Sequence, residues 1–310
     1  MLRHSFCVNS LRISEKSSKF VADFVRTCEY AHAYTNIRKM KRKMKIAIIG
    51  YGKMGHMIEE VARSRGHEIT CVIDRCAVGP GTEPSDCKTA TAVRPASPVR
   101  FYTPEEGFDS EAFRSADVAI EFTTPATAEE NIRKAWAQGV PVVCGTTGWD
   151  IESLSPTLPR REGDRNRVVL KNEKGKVMLV WSSNYSVGVN IFFGLNKYLA
   201  EAMTNYELQI TNGKGGYTPS IREIHHIHKL DKPSGTAKTL AEQIEEAYPH
   251  PLPEGKGACI SIESIREGEV PGTHEVKWDS EEDTIIITHI AKGRRGFALG
   301  AVLAAEEITN

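Results

Sequence analysis

Residues 45–74 read KIAIIGYGKMGHMIEEVARSRGHEITCVID. Lys45 to Gly50 is a short apolar run closed by glycine, the pattern of a strand buried on both faces. GYGKMG follows, with Gly50, Gly52 and Gly55 in G-x-G-x-x-G spacing. MIEEVARSRG (57–66) reads as a helix stopped by Gly66. EITCVID (68–74) reads as a second strand ending in an acid, Asp74, 19 residues beyond Gly55. The unit is a complete β-α-β. In such a unit the first glycine permits a tight turn, the second lets a pyrophosphate approach the backbone, and the third lets helix and strand pack closely. The helix N-terminus offers free N–H groups to phosphates. An acid closing the second strand accepts the ribose hydroxyls. The spacing therefore predicts dinucleotide binding. Asp74 favours NADH, because a 2′-phosphate would meet a carboxylate. Arg75, next to it, would pair with that phosphate, so NADH and NADPH both stay open.

Downstream, residues 76–116 read as a loop region with one short strand, VRFYT (99–103). DVAIEFTTP (117–125) is a further strand. ATAEENIRKAWAQG (126–139) is a helix with Thr124 as N-cap and Pro125 in its first turn. VPVVCGTTG (140–148) is a strand and turn. VMLVWSSNYSVGVNIFFGLNKYLAEAM (177–203) is a strand, a loop and a long helix. The alternation calls for an α/β fold with a Rossmann-type, doubly wound parallel sheet. Ligands bind beyond the carboxyl ends of such strands, where the turns 123–125 and 145–148 fall. A change of domain is expected near Asn184.

The chain has 310 residues, with 40% hydrophobic and 26% charged residues, which argues against a disordered chain or a membrane bundle. Lys+Arg and Asp+Glu are equal at 40 each, so bulk charge gives no reason to expect nucleic acid or a membrane surface as partner. Residues 1–43 hold ten Lys/Arg against three Asp/Glu and show no clear period. They are expected to be a basic leader outside the fold: a start placed too far upstream, a transit peptide or a disordered tail. The seven Cys are scattered with no C-x-x-C pair. That usage suggests a reduced cytoplasmic compartment without a disulfide framework or a structural zinc.

The chemistry concentrates in IREIHHIHKLDKPSGTAKTLAEQIEEAY (221–248). YELQIT (206–211) and IREIHHIHKL (221–230) suggest paired strands, with GKGGYTPS (213–220) as a turn or insertion between them. In extended backbone His225 and Lys229 share one face, and His226 and His228 the other. A metal centre is not expected, because no carboxylate or Cys completes a ligand set at the usual spacing. Burying three His and a Lys unpaired would be costly. An anionic substrate explains them better. Lys229 and protonated His neutralise carboxylates, and the amides of Ser234, Gly235 and Thr236 open a helix whose N-terminus holds a carboxylate. A His near its ordinary pKa moves a proton near neutrality. Beside a nicotinamide, that combination suggests reduction of a C=C or C=N bond.

From about Met44 to its C-terminus the chain resembles the 4-hydroxy-tetrahydrodipicolinate (dihydrodipicolinate) reductase family of lysine and diaminopimelate biosynthesis. EIHHIHKLDKPSGTA (223–237) matches that family's signature E-[LIA]-H-H-x-x-K-x-D-x-P-S-G-T-A. GYGKMG, EFTTP, GTTG, SSNYSVGVN and HIAKGRRGFALGAVLAA occur in the family's order. The resemblance implies a Rossmann domain over 44–183, rejoined by a C-terminal helix within 291–310. It implies a second α+β domain over 184–290 whose open mixed sheet binds substrate and makes a homotetramer. It also implies NAD(P)H-dependent reduction with loss of water, the hydride reaching C4 of a cyclic dicarboxylate. His225 then matches the proton donor/acceptor and Lys229 the proton donor. His226, Ser234, Gly235, Thr236 and Thr147 match substrate-binding positions. Gly50, Tyr51, Gly52, Lys53, Met54, Gly55, Asp74 and Arg75, with Gly145, Thr146, Thr147, Ser182, Ser183, Asn184 and Tyr185, match the cofactor site. The glycine loop is shorter than in many members, Tyr185 stands where Phe is frequent, Lys232 stands where Ala is frequent, and GKGGYTPS looks inserted. Two rivals remain at this stage. One is another two-domain Rossmann dehydrogenase acting on a semialdehyde or hydroxy acid, for which Cys144 would be a candidate thiol, though one expected to be buried. The other is a non-enzymatic dinucleotide sensor, which would have no use for the His/Lys cluster.

Overall fold

The computed structural model describes residues 42–75, 99–154, 167–172, 174–206, 216–247 and 260–309. Residues 1–41 of the basic leader, residues 76–98, the expected strand over 207–211 and residues 213–215 of the expected insertion lie outside the described residues.

Seven strands form the first sheet: β1 (Lys45–Ile49), β2 (Glu68–Ile73), β3 (Arg100–Tyr102), β4 (Val118–Glu121), β5 (Val142–Cys144), β6 (Arg167–Lys171) and β7 (Val177–Ser182). Their order is β3-β2-β1-β4-β5-β7-β6. All neighbours pair parallel except β6 with β7, so an antiparallel edge closes the expected parallel sheet. Side chains along β1 alternate between faces. Ile46 and Ile48 enter one core, with Ile58, Val61 and Val302, while Ala47 and Ile49 enter the other, with Phe113, Ile132 and Leu179. Covering both faces is what a parallel sheet requires, and it explains the unbroken apolar run of KIAII.

Helix α1 (Lys53–Ser64) starts four residues before the helix expected from Met57. Gly55 therefore sits in its first turn, where a Cβ would lie 2.3 Å from the Gly50 carbonyl oxygen. Two short helices, α2 (Pro104–Gly107) and α3 (Glu111–Arg114), occupy ground read as loop. Their signals were local ones: proline opens α2, and Ser110 Oγ accepts from Phe113 N at 3.1 Å to cap α3. Helix α4 (Pro125–Ala137) starts where expected. Thr124 occupies its N-cap without capping a backbone N–H; its hydroxyl lies 3.0 Å from that of Thr127 instead.

The second sheet contains β8 (Thr218–His225), β9 (Ser261–Arg266), β10 (Thr273–Asp279) and β11 (Thr284–Ile290), in the order β11-β10-β8-β9. It is mixed: β8 pairs parallel with β9, and β10 pairs antiparallel with β8 and β11. Helices α5 (Val187–Tyr206) and α6 (Gly235–Ala247) cover one face, burying Phe192, Ile221, Leu240, Val276 and Trp278. The opposite face exposes Arg222, Ile286 and Ile290. Thr218–Ser220, read as part of an insertion, belong to β8. Among the described residues no helix is long and apolar enough to cross a membrane.

The last helix, α7 (Arg295–Ile308), returns to the first sheet and packs on α1. A Cβ at Gly300 would lie 1.6 Å from the Tyr185 carbonyl oxygen, so the helix rests directly on the backbone after β7. The buried Glu306 takes two hydrogen bonds from Arg65, at 2.6 and 2.8 Å, and meets His67 Nε2 at 2.8 Å. Burial alone would raise the Glu306 pKa, but the hydrogen bonds from His67 and Arg65 outweigh it and hold the carboxyl below its usual range. A carboxyl that titrates lower in the folded state contributes stability above the unfolded value, and that contribution fades as pH falls through the folded one. Glu306→Gln is expected to lower stability at neutral pH by about 1–2 kcal/mol in urea unfolding. The gap to the wild type should close below about pH 4.

Candidate functional site

The carboxyl ends of β1, β4, β5 and β7 carry the glycine loop and three turns. Gly50 has φ +90°, and a Cβ there would meet the Phe122 carbonyl oxygen at 2.2 Å. Gly52 is the N-cap of α1 and supplies no side-chain cap; space around its missing Cβ is open. The first N–H groups of α1 therefore have no capping side chain, beside a bare approach to the backbone, and this cradle fits a dinucleotide pyrophosphate. Asp74 directly follows β2, and its Oδ2 accepts the Tyr51 amide at 2.6 Å, joining loop and acid. Arg75 is exposed beside it. The Tyr51 hydroxyl bonds Glu59, and its ring meets Phe101 edge-on at 5.0 Å.

Glu121, fully buried at the end of β4, organises the next two turns. It accepts from Thr146 Oγ1 at 2.7 Å, from Cys144 Sγ at 3.0 Å and from the Thr123 hydroxyl. Thr146 Oγ1 in turn accepts the Thr123 amide at 2.9 Å. The Thr146 carbonyl takes both Trp149 Nε1 and Trp181 Nε1 at 2.8 Å. Thr146 thus faces inward, and of the expected triplet it is Gly145 and Thr147 that line the cavity. Cys144 is buried, and burial followed by the Glu121 charge pushes its thiol pKa well up. A thiol so protonated is a poor nucleophile, which removes the thiol-dependent semialdehyde chemistry. The Tyr185 ring is buried, with its hydroxyl 3.0 Å from the Cys144 carbonyl and 2.8 Å from that of Val180, contacts a Phe would lack.

The second sheet supplies the opposite wall. The β8 strand ends at His225, and residues 226–233 turn away from it. The expected alternation of His226, His228 and Lys229 along a strand therefore does not occur. His225 is buried, with Nδ1 3.2 Å from Glu223 Oε2. Gly272, at φ +148°, leaves room at the other ring nitrogen, since a Cβ there would lie 3.2 Å from His225 Nε2. His226 and Lys229 reach the cavity, whereas His228 is exposed and pairs with Glu269 at 3.2 Å. Lys229 Nζ lies 2.7 Å from Asp231 Oδ1. Burial works to raise the Asp231 pKa, but the Lys229 ammonium and the Gly235 amide hold it low.

Ser234 caps α6 as its position before the helix suggests, but its amide is not the open carboxylate donor expected. Its amide donates to Glu223 Oε1 at 3.0 Å, and its hydroxyl accepts the Ala237 amide at 3.2 Å and lies 3.1 Å from His274 Nε2. Both groups are committed inside the protein, which leaves Gly235 and Thr236 to meet a ligand. Thr236 Oγ1 accepts from Asn184 Nδ2 at 3.3 Å, linking the two walls.

Sequence reasoning missed Glu223 and its neighbours. Glu223 is fully buried, and burial pushes its pKa up. The close His225 ring, with Ser234 and Ser264, more than offsets this and holds the carboxyl far below its usual range. His274, facing Glu223 across the β8–β10 ladder, is pushed down to about 3 by burial and by the His225 charge, so it is neutral at physiological pH. Glu223, His225 and His274 hold their polar atoms within 4.8 Å of one another. The premise that no carboxylate stands near the histidines is therefore wrong: Glu223 shares the inward face of β8 with His225, two residues away. Its Oε1 takes both the Ser234 amide and Arg266 Nη2, the latter at 3.2 Å, while Oε2 faces His225 Nδ1 at 3.2 Å and His274 Nε2 at 3.8 Å. His289, Arg294 and Phe297 also line the cavity; they lie in HIAKGRRGFALGAVLAA, quoted above for the resemblance, but were given no role there.

The cavity measures about 540 Å³. Met54, Gly145, Thr147 and Ser182–Tyr185 line one side, and His225, His226, Lys229, Gly235 and Thr236 the other. Gly50–Lys53, Gly55, Asp74 and Arg75 lie outside it, along the loop and strand end described above.

Two family models match the chain: "Dihydrodipicolinate reductase, N-terminus" over residues 44–159 and "Dihydrodipicolinate reductase, C-terminus" over 188–310. A 4-hydroxy-tetrahydrodipicolinate reductase of Christiangramia forsetii is 40% identical over 267 residues, covering 85% of this chain and 91% of that one. One of Archaeoglobus fulgidus is 34% identical over 277 residues, covering 86% and 94%. Among solved structures, a dipicolinate-bound dihydrodipicolinate reductase from Paenisporosarcina sp. TG-14 shares the fold, with a TM-score of 0.60 at 20% identity over 86% of this chain and 95% of that one.

The two helix-entry glycines separate binding from folding. Gly52→Ala places a methyl in open space and is expected to leave the melting temperature unchanged while weakening NADH binding about tenfold or more, read by fluorescence titration. Gly55→Ala drives a methyl into the Gly50 carbonyl and should cost about 2 kcal/mol of stability or more.

Proposed function

The chain belongs to the dihydrodipicolinate reductase family, and from that premise we propose that His225 and Lys229 manage the proton while Gly235, Thr236, His226 and Thr147 hold a doubly anionic ring. The activity is that of a 4-hydroxy-tetrahydrodipicolinate reductase, an oxidoreductase of lysine biosynthesis using NAD(P)H. The observation that carries the assignment of residues is the single cavity. It gathers an imidazole, an ammonium and a helix N-terminus on one side, and the turns of a dinucleotide-binding sheet on the other.

The reaction takes up one hydride and one proton and releases water. A reduced nicotinamide, when bound, supplies the hydride. In this reading Gly50–Gly55 and the start of α1 hold its pyrophosphate, Asp74 a ribose, and Gly145–Thr147 with Ser182–Tyr185 surround the ring. Asp74 accepts the ribose of NADH, and Arg75 meets a 2′-phosphate, so both cofactors serve. Lys229 exchanges its Asp231 partner for a substrate carboxylate and remains charged, which places a proton beside the ring. His225, backed by the Glu223 carboxylate, presents its other nitrogen on the side that Gly272 leaves open, and gives or takes the proton there. The Gly235 amide, at the start of α6, holds a second carboxylate. We place the enzyme in the cytoplasm as a homotetramer, joined across the open face of the second sheet that exposes Ile286 and Ile290.

The test is consumption of NADH and NADPH with freshly made 4-hydroxy-tetrahydrodipicolinate. Lys229→Ala is expected to lower kcat/KM about a hundredfold or more, since it removes both a charge and a proton source. Full activity in that variant would remove Lys229 from the mechanism. Cofactor binding without turnover of any dicarboxylate would favour a sensor.

A further inference from the structure

Lys229 lies outside regular structure, on residues 226–233, and the question is what holds it. Its backbone is not paired into either sheet. The clamp is Arg266, the last residue of β9, whose guanidinium is largely buried. Arg266 Nε donates to the Lys229 carbonyl at 3.3 Å, Nη2 to the Asp231 carbonyl and to Glu223 Oε1 at 3.2 Å, and Nη1 to its own strand's Ile265 carbonyl at 2.8 Å. One planar cation thus ties both ends of the Lys229–Asp231 ion pair to the carboxylate that stands behind His225 and receives the Ser234 amide.

We propose that Glu223 and Arg266 are a positioning pair for the reaction. The carboxylate orients His225 and the first turn of α6, and the guanidinium locks the Lys229 segment onto that carboxylate. Neither touches the substrate. The inference rests on the reading that Lys229 and His225 act on the proton, and it adds what sets their separation. A forked donor is needed, because the four acceptors lie in different directions; a lysine ammonium could satisfy the charge of Glu223 but not the two loop carbonyls together.

The experiment compares Arg266→Lys, Arg266→Ala, Glu223→Gln and the double variant Glu223→Gln/Arg266→Lys in steady-state kinetics per folded enzyme, with Lys229→Ala as reference. Arg266→Lys is expected to fold, to bind NADH as the wild type does, and to lose about ten- to a hundredfold in kcat with KM for the dicarboxylate changed less than about threefold. Glu223→Gln, which keeps an oxygen for Ser234, should lose a similar factor, and the double variant no more than about the larger single loss. Arg266→Ala should be worse than Arg266→Lys; where it fails to fold, the Lys variant decides. Wild-type kcat in folded Arg266→Lys, or independent multiplying losses in the double variant, overturns the pair. A lowered melting temperature with unchanged kcat shows a structural role only and also overturns it. If Lys229→Ala itself is fully active, it is the underlying reading that fails.

Discussion

A carboxylate with no access to water must find its partners inside the protein or lose its charge, and Glu223 finds them in a way that builds half of the site. It accepts a backbone amide from the start of α6 and a guanidinium from the end of β9, and it stands beside the imidazole two residues along its own strand. Removing Arg266, its cationic partner, would leave charge uncompensated in a low-dielectric setting, a cost of about 3–5 kcal/mol for a buried pair. The start of α6, the end of β9 and the end of β8 are therefore held together by the need to satisfy one anion. His274 stays neutral beside it because burial and the His225 charge outweigh the attraction of Glu223 for a proton on that ring.

Glu121 does the corresponding work on the other sheet. It is fully buried and gathers two hydroxyls and a thiol, all from the turns that end β4 and β5. Its hydrogen bonds fold Thr146 inward and leave Gly145 and Thr147 at the cavity surface. Each wall is thus backed by an internal carboxylate at a strand end. The walls meet through Asn184, whose amide reaches Thr236, while α7 braces the first wall where Gly300 lies against the Tyr185 backbone. The ligand-facing groups are loops and turns, but what fixes them lies in the strands behind.

Much of the first sheet was legible because its signals are local. KIAIIG and EITCVID are apolar runs bounded by punctuation, and the glycine spacing has a mechanical meaning that does not depend on the rest of the chain. The start of α1 was misplaced because two glycines and a lysine look like loop, whereas tertiary contact with Gly50 imposes helix on Gly55. The antiparallel β6 could not be seen: an edge strand's direction is set by its partner and not by its own pattern. In the second sheet the residue types of the site were legible, but their geometry was not. Extending the strand through Lys229 gave a face assignment that the turn at His226 cancels. Ser234, Gly235 and Thr236 looked equivalent as amide donors until Glu223, eleven residues earlier, was seen to claim the first of them. Arg266 and His274 had no signal at all, because their meaning comes only from strand pairing.

The ion pair between Lys229 and Asp231 follows the same logic of satisfied charge. An ammonium whose side chain is three-quarters buried needs an anion, and the carboxylate two residues away provides it. The Gly235 amide contributes to the same carboxylate. In the proposed reaction an arriving substrate carboxylate of equal charge would take the place of Asp231 beside the ammonium. The electrostatic cost of binding is reduced to releasing Asp231, which is half exposed, into water. A rigid clamp behind the segment and an exchangeable anion in front of it are complementary. In the proposed mechanism, where Lys229 serves binding and proton transfer in turn, the clamp would let the ammonium keep its position while its partner changes.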